Sequence, residues 1–165
     1  MPLSAQTAKT ILFTCFVGPG PVIGLIPWLI SGWRFHWVYP VIQPFGALLF
    51  VVGLIPLADS ISRFVKEGRG TPAPYSETDQ LVVNGFYRYV RNPMYVGVVS
   101  MIFGQSLFLW NRDIFIYALA SALGFHLFVT LYEEPRLRQK YGSAYATYQQ
   151  RVRRWLPHLH AAQVS

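Results

Sequence analysis

Four uncharged, mostly apolar runs dominate the chain: Thr10 to Trp33, Phe35 to Ala58, Asn92 to Asn111 and Ile114 to Tyr132. A helix needs about 20 such residues to cross the hydrocarbon core of a bilayer. The first two runs clear that length, and the last two sit at its edge. Only Arg112 and Asp113 separate the third run from the fourth, so this pair predicts an antiparallel helical hairpin. Within the first run, Gly18-Pro19-Gly20-Pro21 predicts a kink or break. Inside a membrane such a break survives only where neighbouring protein satisfies the freed backbone groups. A signal peptide over Met1 to Pro21 is the alternative. Lys9 is its only basic side chain, no small-residue cleavage site stands out, and apolar character continues to Ile30. These features favour a retained span.

The pattern changes between and after the runs. Gly68-Arg69-Gly70-Thr71-Pro72-Ala73-Pro74 reads as a loop without regular structure. Leu81-Val82-Val83 followed by Asn84-Gly85 reads as a short extended piece and a turn. Beyond Tyr132, the residues Leu137, Tyr141, Tyr145, Tyr148 and Val152 recur at helical spacing among Arg136, Arg138, Lys140 and Arg151. That combination predicts an amphipathic helix lying against the membrane surface. The expected fold is therefore all-α: one polytopic membrane domain over residues 1–165, with about four transmembrane helices, a C-terminal helical hairpin and a cytoplasmic amphipathic helix. Residues 10–70 hold spans one and two, and residues 71–157 form the second half.

Composition agrees. The 165 residues are 53% hydrophobic and 13% charged, against about 25% charged in ordinary soluble domains. Cys15 is the only cysteine, which excludes a disulfide-stapled secreted fold. The apolar and aromatic content argues against disorder, and the long uncharged runs leave no room for a doubly wound nucleotide-binding domain. A net charge of +7 raises nucleic-acid binding, but the basic residues flank hydrophobic runs instead of lining one soluble face. Basic flanks report orientation and contact with anionic lipid. With four spans, twelve of the fourteen Lys and Arg residues fall on one side, leaving Arg34 and Arg112 on the other. By the positive-inside rule both termini and the basic segments are cytoplasmic, in the inner membrane if the source is bacterial.

Familiar soluble catalytic motifs are absent. There is no Gly-x-Gly-x-x-Gly, no phosphate-binding P-loop and no His-Glu-x-x-His. His158 and His160 alone have close spacing and sit in a terminal tail, so no metal site is expected; His126 suits a hydrogen bond between helices. Two clusters carry more information. Asn84 to Gly97 combines two arginines, three tyrosines and an Asn-Pro step at the start of span three. An interfacial anchor explains that composition equally well. Glu133-Glu134 follows span four directly, and on a continuing helix the two lie about 100° apart. A stop-transfer flank paired with Arg136 and Arg138 is the plainer explanation. The hairpin nevertheless predicts that Asn92 and Tyr95 meet Glu133 at one cytoplasmic edge. Such a pocket suits a cationic ligand with hydroxyls: the carboxylate would meet ammonium or ribose groups, and the tyrosines a ring.

At these residues the chain resembles the membrane methyltransferases of the isoprenylcysteine carboxyl methyltransferase and phospholipid N-methyltransferase group. The family pattern Gly-x-Tyr-x-x-x-Arg-His-Pro-x-Tyr-x-Gly stands here as Gly85, Tyr87 and Arg91-Asn92-Pro93-Met94-Tyr95-Val96-Gly97. Its later elements stand as Glu133-Glu134-Pro135-Arg136-Leu137, Tyr141-Gly142, Tyr145, Tyr148 and Arg154-Trp155-Leu156-Pro157. The resemblance covers about Thr71 to Pro157 and marks this half as methyltransferase-like and cofactor-binding. It implies S-adenosylmethionine as methyl donor, bound on the cytoplasmic side. Carried over by position, Gln80, Leu81 and Val82 would touch the cofactor, Tyr87 would wall the site, and Asn92, Pro93, Met94 and Tyr95 would contact it. Glu133 would hold a polar group, with Arg91 and Glu134 behind. No catalytic residue follows directly; Tyr95 and Glu133 are the candidates. Asn92 replaces the family's His and loses its titratable ring. Val129 stands where carboxyl-methylating members carry a substrate-binding Arg.

The resemblance implies direct methyl transfer to a lipophilic or small acceptor, a carboxylate, thiol or amine, isoprenylcysteine-like ones among them. Two other readings remain open: an NADPH-dependent membrane reductase of related architecture, and a non-catalytic membrane subunit that binds lipid or a partner protein.

Overall fold

The computed structural model describes residues 18–66 and 81–157, apart from the side chains of residues 64–66. Among the described residues every regular element is helical. Lys9, the Gly68–Pro74 loop, Gln80 and the His158/His160 pair lie outside them.

The first helical segment shows how its prolines are accommodated. It is helical from Pro19, then widens into a π turn over Pro21–Leu25 before continuing as α1 (Ile26–Ser31). The irregularity thus falls just after the predicted break. The Ile26 N–H reaches back five residues to the Pro21 carbonyl. Pro27 has no N–H, so the Ile23 carbonyl loses its usual helical donor. Gln105 fills that gap, its Nε2 donating to Ile23 O at 2.8 Å. Tyr117 donates through its hydroxyl to Val22 O at 3.1 Å. Two later helices therefore satisfy the backbone that the prolines free, as a spanning segment requires.

α2 covers Ile42–Lys66, about 37 Å at 1.5 Å per residue. It begins seven residues later than the apolar run because Gln43 organises the preceding loop. The fully buried Gln43 accepts through Oε1 from the N–H groups of Val38 (2.7 Å) and Tyr39 (2.9 Å). Its Nε2 donates to His36 O (2.7 Å) and Phe108 O (2.9 Å). α3 (Pro93–Phe108) packs antiparallel on α2 along a seam of small residues. A Cβ at Gly53 would lie 2.7 Å from Gly97 O, and one at Gly104 would lie 2.7 Å from Gly46 O, so only glycine lets the backbones come this close.

The hairpin link differs in detail from the expectation. It consists of Leu109–Asn111, with Trp110 at φ +48°. Arg112 and Asp113 already belong to the first turn of α4 (Arg112–Phe128), because the Asn111 side chain caps that helix by accepting from Ile114 N at 2.9 Å. α4 runs through a second π turn (Val129–Glu133) into α5 (Glu134–Arg151), which kinks at Gly142 (φ +52°).

Among the described residues two helices are long and apolar enough to cross a membrane, Ile42–Arg63 and the continuous Arg112–Arg151; Pro21–Ser31 and Pro93–Phe108 are apolar but shorter. Only 22% and 17% of the two long apolar windows are buried. Leu48, Val51, Leu54 and Ile55 on α2, with Phe115, Leu119, Leu123 and Leu127 on α4, face outward. A soluble protein's core helix would bury such side chains; these face lipid, and the protein is a membrane protein. Trp28, Trp33, Trp37, Tyr39 and Trp110 are exposed around the end that carries the α1–α2 and α3–α4 links, where amphipathic rings favour the bilayer interface.

The core joins Leu57, Val98, Met101, Ile102, Ile114 and Ala118. At the opposite end from the aromatic belt, Tyr145, Tyr148 and Val152 form a second cluster with Leu81, Val83, Leu137 and Tyr141. The apolar stripe expected to lie on the membrane surface packs here against Leu81 and Val83.

Candidate functional site

The second end of the bundle gathers most of the motif residues. The Asn84-Gly85 turn forms as expected and leads into a 3₁₀ turn over Gly85–Arg88. Gly85 sits at φ +59°, and a Cβ there would run into the Arg63 guanidinium. α2 holds this turn from below. Asp59 pairs with Arg63 at 2.9 Å and accepts the Phe86 N–H at 3.1 Å. Ser60, fully buried, hydrogen-bonds the Tyr87 phenol, and Tyr148 donates to the Tyr87 carbonyl at 2.7 Å. Burial pushes the Tyr87 phenol above its ordinary range, the Ser60 bond pulling the other way. Asp59 and Ser60 escape sequence reasoning. The signal that could have found Asp59 is an acid one helical turn before a basic residue at the end of an apolar run.

Pro93 opens α3, where its missing N–H costs nothing. Met94 packs against the main core. Tyr95 points toward the end of α4, and its hydroxyl donates to Glu133 Oε2 at 2.9 Å. Its ring lies 4.9 Å from that of Phe125. Tyr87 lies near both Tyr95 and Glu133. The antiparallel hairpin therefore brings together three residues that stand 46 positions apart at the extremes.

Glu133 and Glu134 have separate surroundings. Glu134 is 3% exposed and forms the hub of an ionic network. Arg154 binds it in bidentate fashion, Nε to Oε1 at 2.7 Å and Nη2 to Oε2 at 2.9 Å. Arg91 Nη1 lies 3.2 Å from Oε1, and Gln149 Nε2 donates to Oε2 at 3.3 Å. The carboxylate in turn holds the Arg154 pKa above its ordinary value. Two backbone-directed bonds complete the clasp: Arg91 N donates to Arg153 O at 2.8 Å, and Asn92 Nδ2 donates to Arg154 O at 3.1 Å. Beside it, Trp155 Nε1 donates to His126 Nδ1 at 3.1 Å, a bond from His126 to the C-terminal segment. Glu134 thus ties the segment after α5 onto the start of α3. Arg154, part of the Arg154-Trp155-Leu156-Pro157 motif, is its main partner.

The remaining carried-over residues divide. Asn92 sits at the edge of this clasp, its amide donor engaged by Arg154. Leu81 packs on the second apolar cluster, and Val82 is buried. Arg91 Nε is buried without a hydrogen-bond acceptor in good geometry. Among the described residues no cluster of His, Cys, Asp and Glu could hold a metal ion. Chemically, the end of the bundle offers the Glu133 carboxylate beside the Tyr95 and Tyr87 rings, with the buried Arg91 guanidinium on the neighbouring Glu134.

A family model described as phospholipid methyltransferase matches residues 41–144, more than half of the chain, including Tyr87, Tyr95, Glu133 and Glu134. No curated protein and no solved structure matches.

Proposed function

The chain belongs to the phospholipid methyltransferase family, and we propose that this membrane methyltransferase takes its methyl group from S-adenosylmethionine at the Tyr95–Glu133 edge. The observation that carries the reading is the 2.9 Å bond from Tyr95 to Glu133, made between the two motif segments. The donor set fits the cofactor. Glu133 can accept from an ammonium or a ribose hydroxyl, Tyr87, Tyr95 and Phe125 offer ring faces, and the buried Arg91 Nε supplies a donor that lacks an acceptor. Gln80, Leu81, Val82, Asn92, Pro93 and Met94 complete the proposed contacts, with Glu134 setting the position of Arg91.

When bound, the sulfonium cofactor supplies an electrophilic methyl group. The protein's share is to hold the acceptor in line with it and keep water away. Tyr95 fixes the Glu133 carboxylate, and Glu133 orients the polar end of the cofactor. A carboxylate or thiolate acceptor needs no base; an amine must shed a proton, which Glu133 can accept. Val129, fully buried where carboxyl-methylating relatives carry Arg, offers no charge for an acceptor carboxylate. We further propose four spans with this edge cytoplasmic, supported by the basic residues gathered on that side, and an acceptor that enters laterally from the bilayer.

Calorimetric titration of the detergent-purified protein with S-adenosylhomocysteine, alongside NADPH and a Glu133→Ala variant, tests this. Saturable binding of S-adenosylhomocysteine that the variant loses is expected. Binding of NADPH alone would replace the reading with a reductase, and binding of neither by folded protein would leave a non-catalytic membrane subunit.

A further inference from the structure

The outer side of the α4–α5 junction carries a groove unrelated to the Tyr95–Glu133 edge. It is lined by Leu131, Tyr132, Pro135, Arg136, Gln139 and Lys140, all exposed and spaced along one face of the helix. Glu134, between them in sequence, faces inward and is buried. Among the described residues the lining thus carries two cations. Both cations are held by aromatic neighbours. Arg136 Nη1 donates to the Tyr132 hydroxyl at 2.6 Å with its Cζ 5.7 Å from that ring, and Lys140 Nζ lies 5.4 Å from the Tyr141 ring.

Position along the helix matters as much as charge. Leu119, Leu123, Leu127 and Leu131 form the outward apolar stripe of the span, and Leu131 is 75% exposed. Arg136 follows Leu131 by five residues, about 7 Å along the axis, and Lys140 by nine, about 13 Å. A bilayer's polar interface is about 5–8 Å deep on each side. The groove therefore starts against acyl chain and places its guanidinium at headgroup depth, while Lys140 starts beyond that depth and reaches back to it along its stem, since helical side chains lean toward the N-terminus. Cations there attract anionic lipid, and a guanidinium held in one orientation matches phosphate oxygens in bidentate geometry.

We infer that this groove binds the phosphodiester headgroup of an anionic membrane phospholipid, with Leu131 against its acyl chain and Arg136 and Lys140 on its phosphate. The bound lipid is a resident ligand, not the methyl acceptor, and the inference stands independently of the methyl-transfer reading.

The test is thermal unfolding of the full chain in neutral detergent with phosphatidylglycerol, phosphatidylcholine or water-soluble glycerol phosphate added. Phosphatidylglycerol at ten times its dissociation constant is expected to raise the midpoint by about 3–6 °C, with no rise from the other two. An Arg136→Gln/Lys140→Gln variant loses that rise. An Arg151→Gln/Arg153→Gln variant, which removes the same charge outside the groove, keeps it. Mass spectrometry of lipid retained through purification should show the same difference between the two variants. Equal loss in both would reduce the effect to diffuse charge attraction and overturn the site. So would an equal rise with phosphatidylcholine, an equal rise with glycerol phosphate, or no rise with any lipid.

Discussion

Glu134→Ala separates the two adjacent carboxylates most sharply. The substitution removes the acceptor for Arg154 at 2.7 and 2.9 Å and the partner of Arg91 at 3.2 Å. The Arg91 side chain is only 11% exposed, so it would be left charged with little water to replace the carboxylate; Arg154, at 31%, recovers some solvation. Removing one partner of a buried pair costs about 3–5 kcal/mol, and the solvent relief at Arg154 places this case near 3. For a chain of this size that is a fall of about 6–12 °C in the unfolding midpoint. The fall should be accompanied by faster proteolysis of residues 152–157, which the clasp holds. Replacing Arg91 with Leu in the same background should recover part of the loss, since it removes the stranded charge. Glu133→Ala, which deletes a single bond from Tyr95, should melt much closer to wild type while losing S-adenosylhomocysteine binding. Unfolding of Glu134→Ala within about 2 °C of wild type, or an equal loss of stability in both variants, would refute the ionic clasp.

Three other outcomes follow from the geometry. Gln105→Leu leaves the Ile23 carbonyl without its donor and should cost about 1–3 kcal/mol, with hydrogen exchange of the 19–31 segment rising before that of the other helices; unchanged exchange there would show that the glutamine is dispensable. Tyr95→Phe keeps the ring against Phe125 and deletes the hydroxyl bond to Glu133; S-adenosylhomocysteine affinity should fall about tenfold, the equivalent of roughly 1.4 kcal/mol, without a large stability change. Burial holds the Tyr87 phenol above its unfolded value of 10.0, so the unfolded chain ionises first. Stability from this group is constant below about pH 10 and falls as the pH rises beyond it. Tyr87→Phe should lessen that alkaline decline, measured by unfolding at pH 9 to 11.

Much of the architecture follows from local pattern. Apolar runs too long for a soluble domain, a two-residue polar break between the third and fourth, Asn84-Gly85 at a turn and Pro93 at a helix start are all local signals. Each acts within a few residues of chain. The lengths were less legible: α2 starts late because Gln43 captures two N–H groups before it, and α3 is shorter than its run because Asn111 caps the following helix. The glycine seam of Gly46, Gly53, Gly97 and Gly104 passes unnoticed in sequence, since glycines at seven-residue intervals carry no meaning until two backbones are seen to touch there.

The composition and order of residues by themselves determined that this is an all-helical membrane chain of the methyltransferase family, and that Tyr95 and Glu133 would meet across a hairpin. A short link allows only one neighbour, so that contact follows from connectivity. Which of two adjacent glutamates turns inward does not. They lie about 100° apart on one helix, and the choice depended on Arg91 and Arg154 arriving from 43 positions before and 20 after Glu134 to neutralise a buried carboxylate. Tertiary packing alone made Glu134 a clasp and left Glu133 to the Tyr95 hydroxyl at the edge of the bundle.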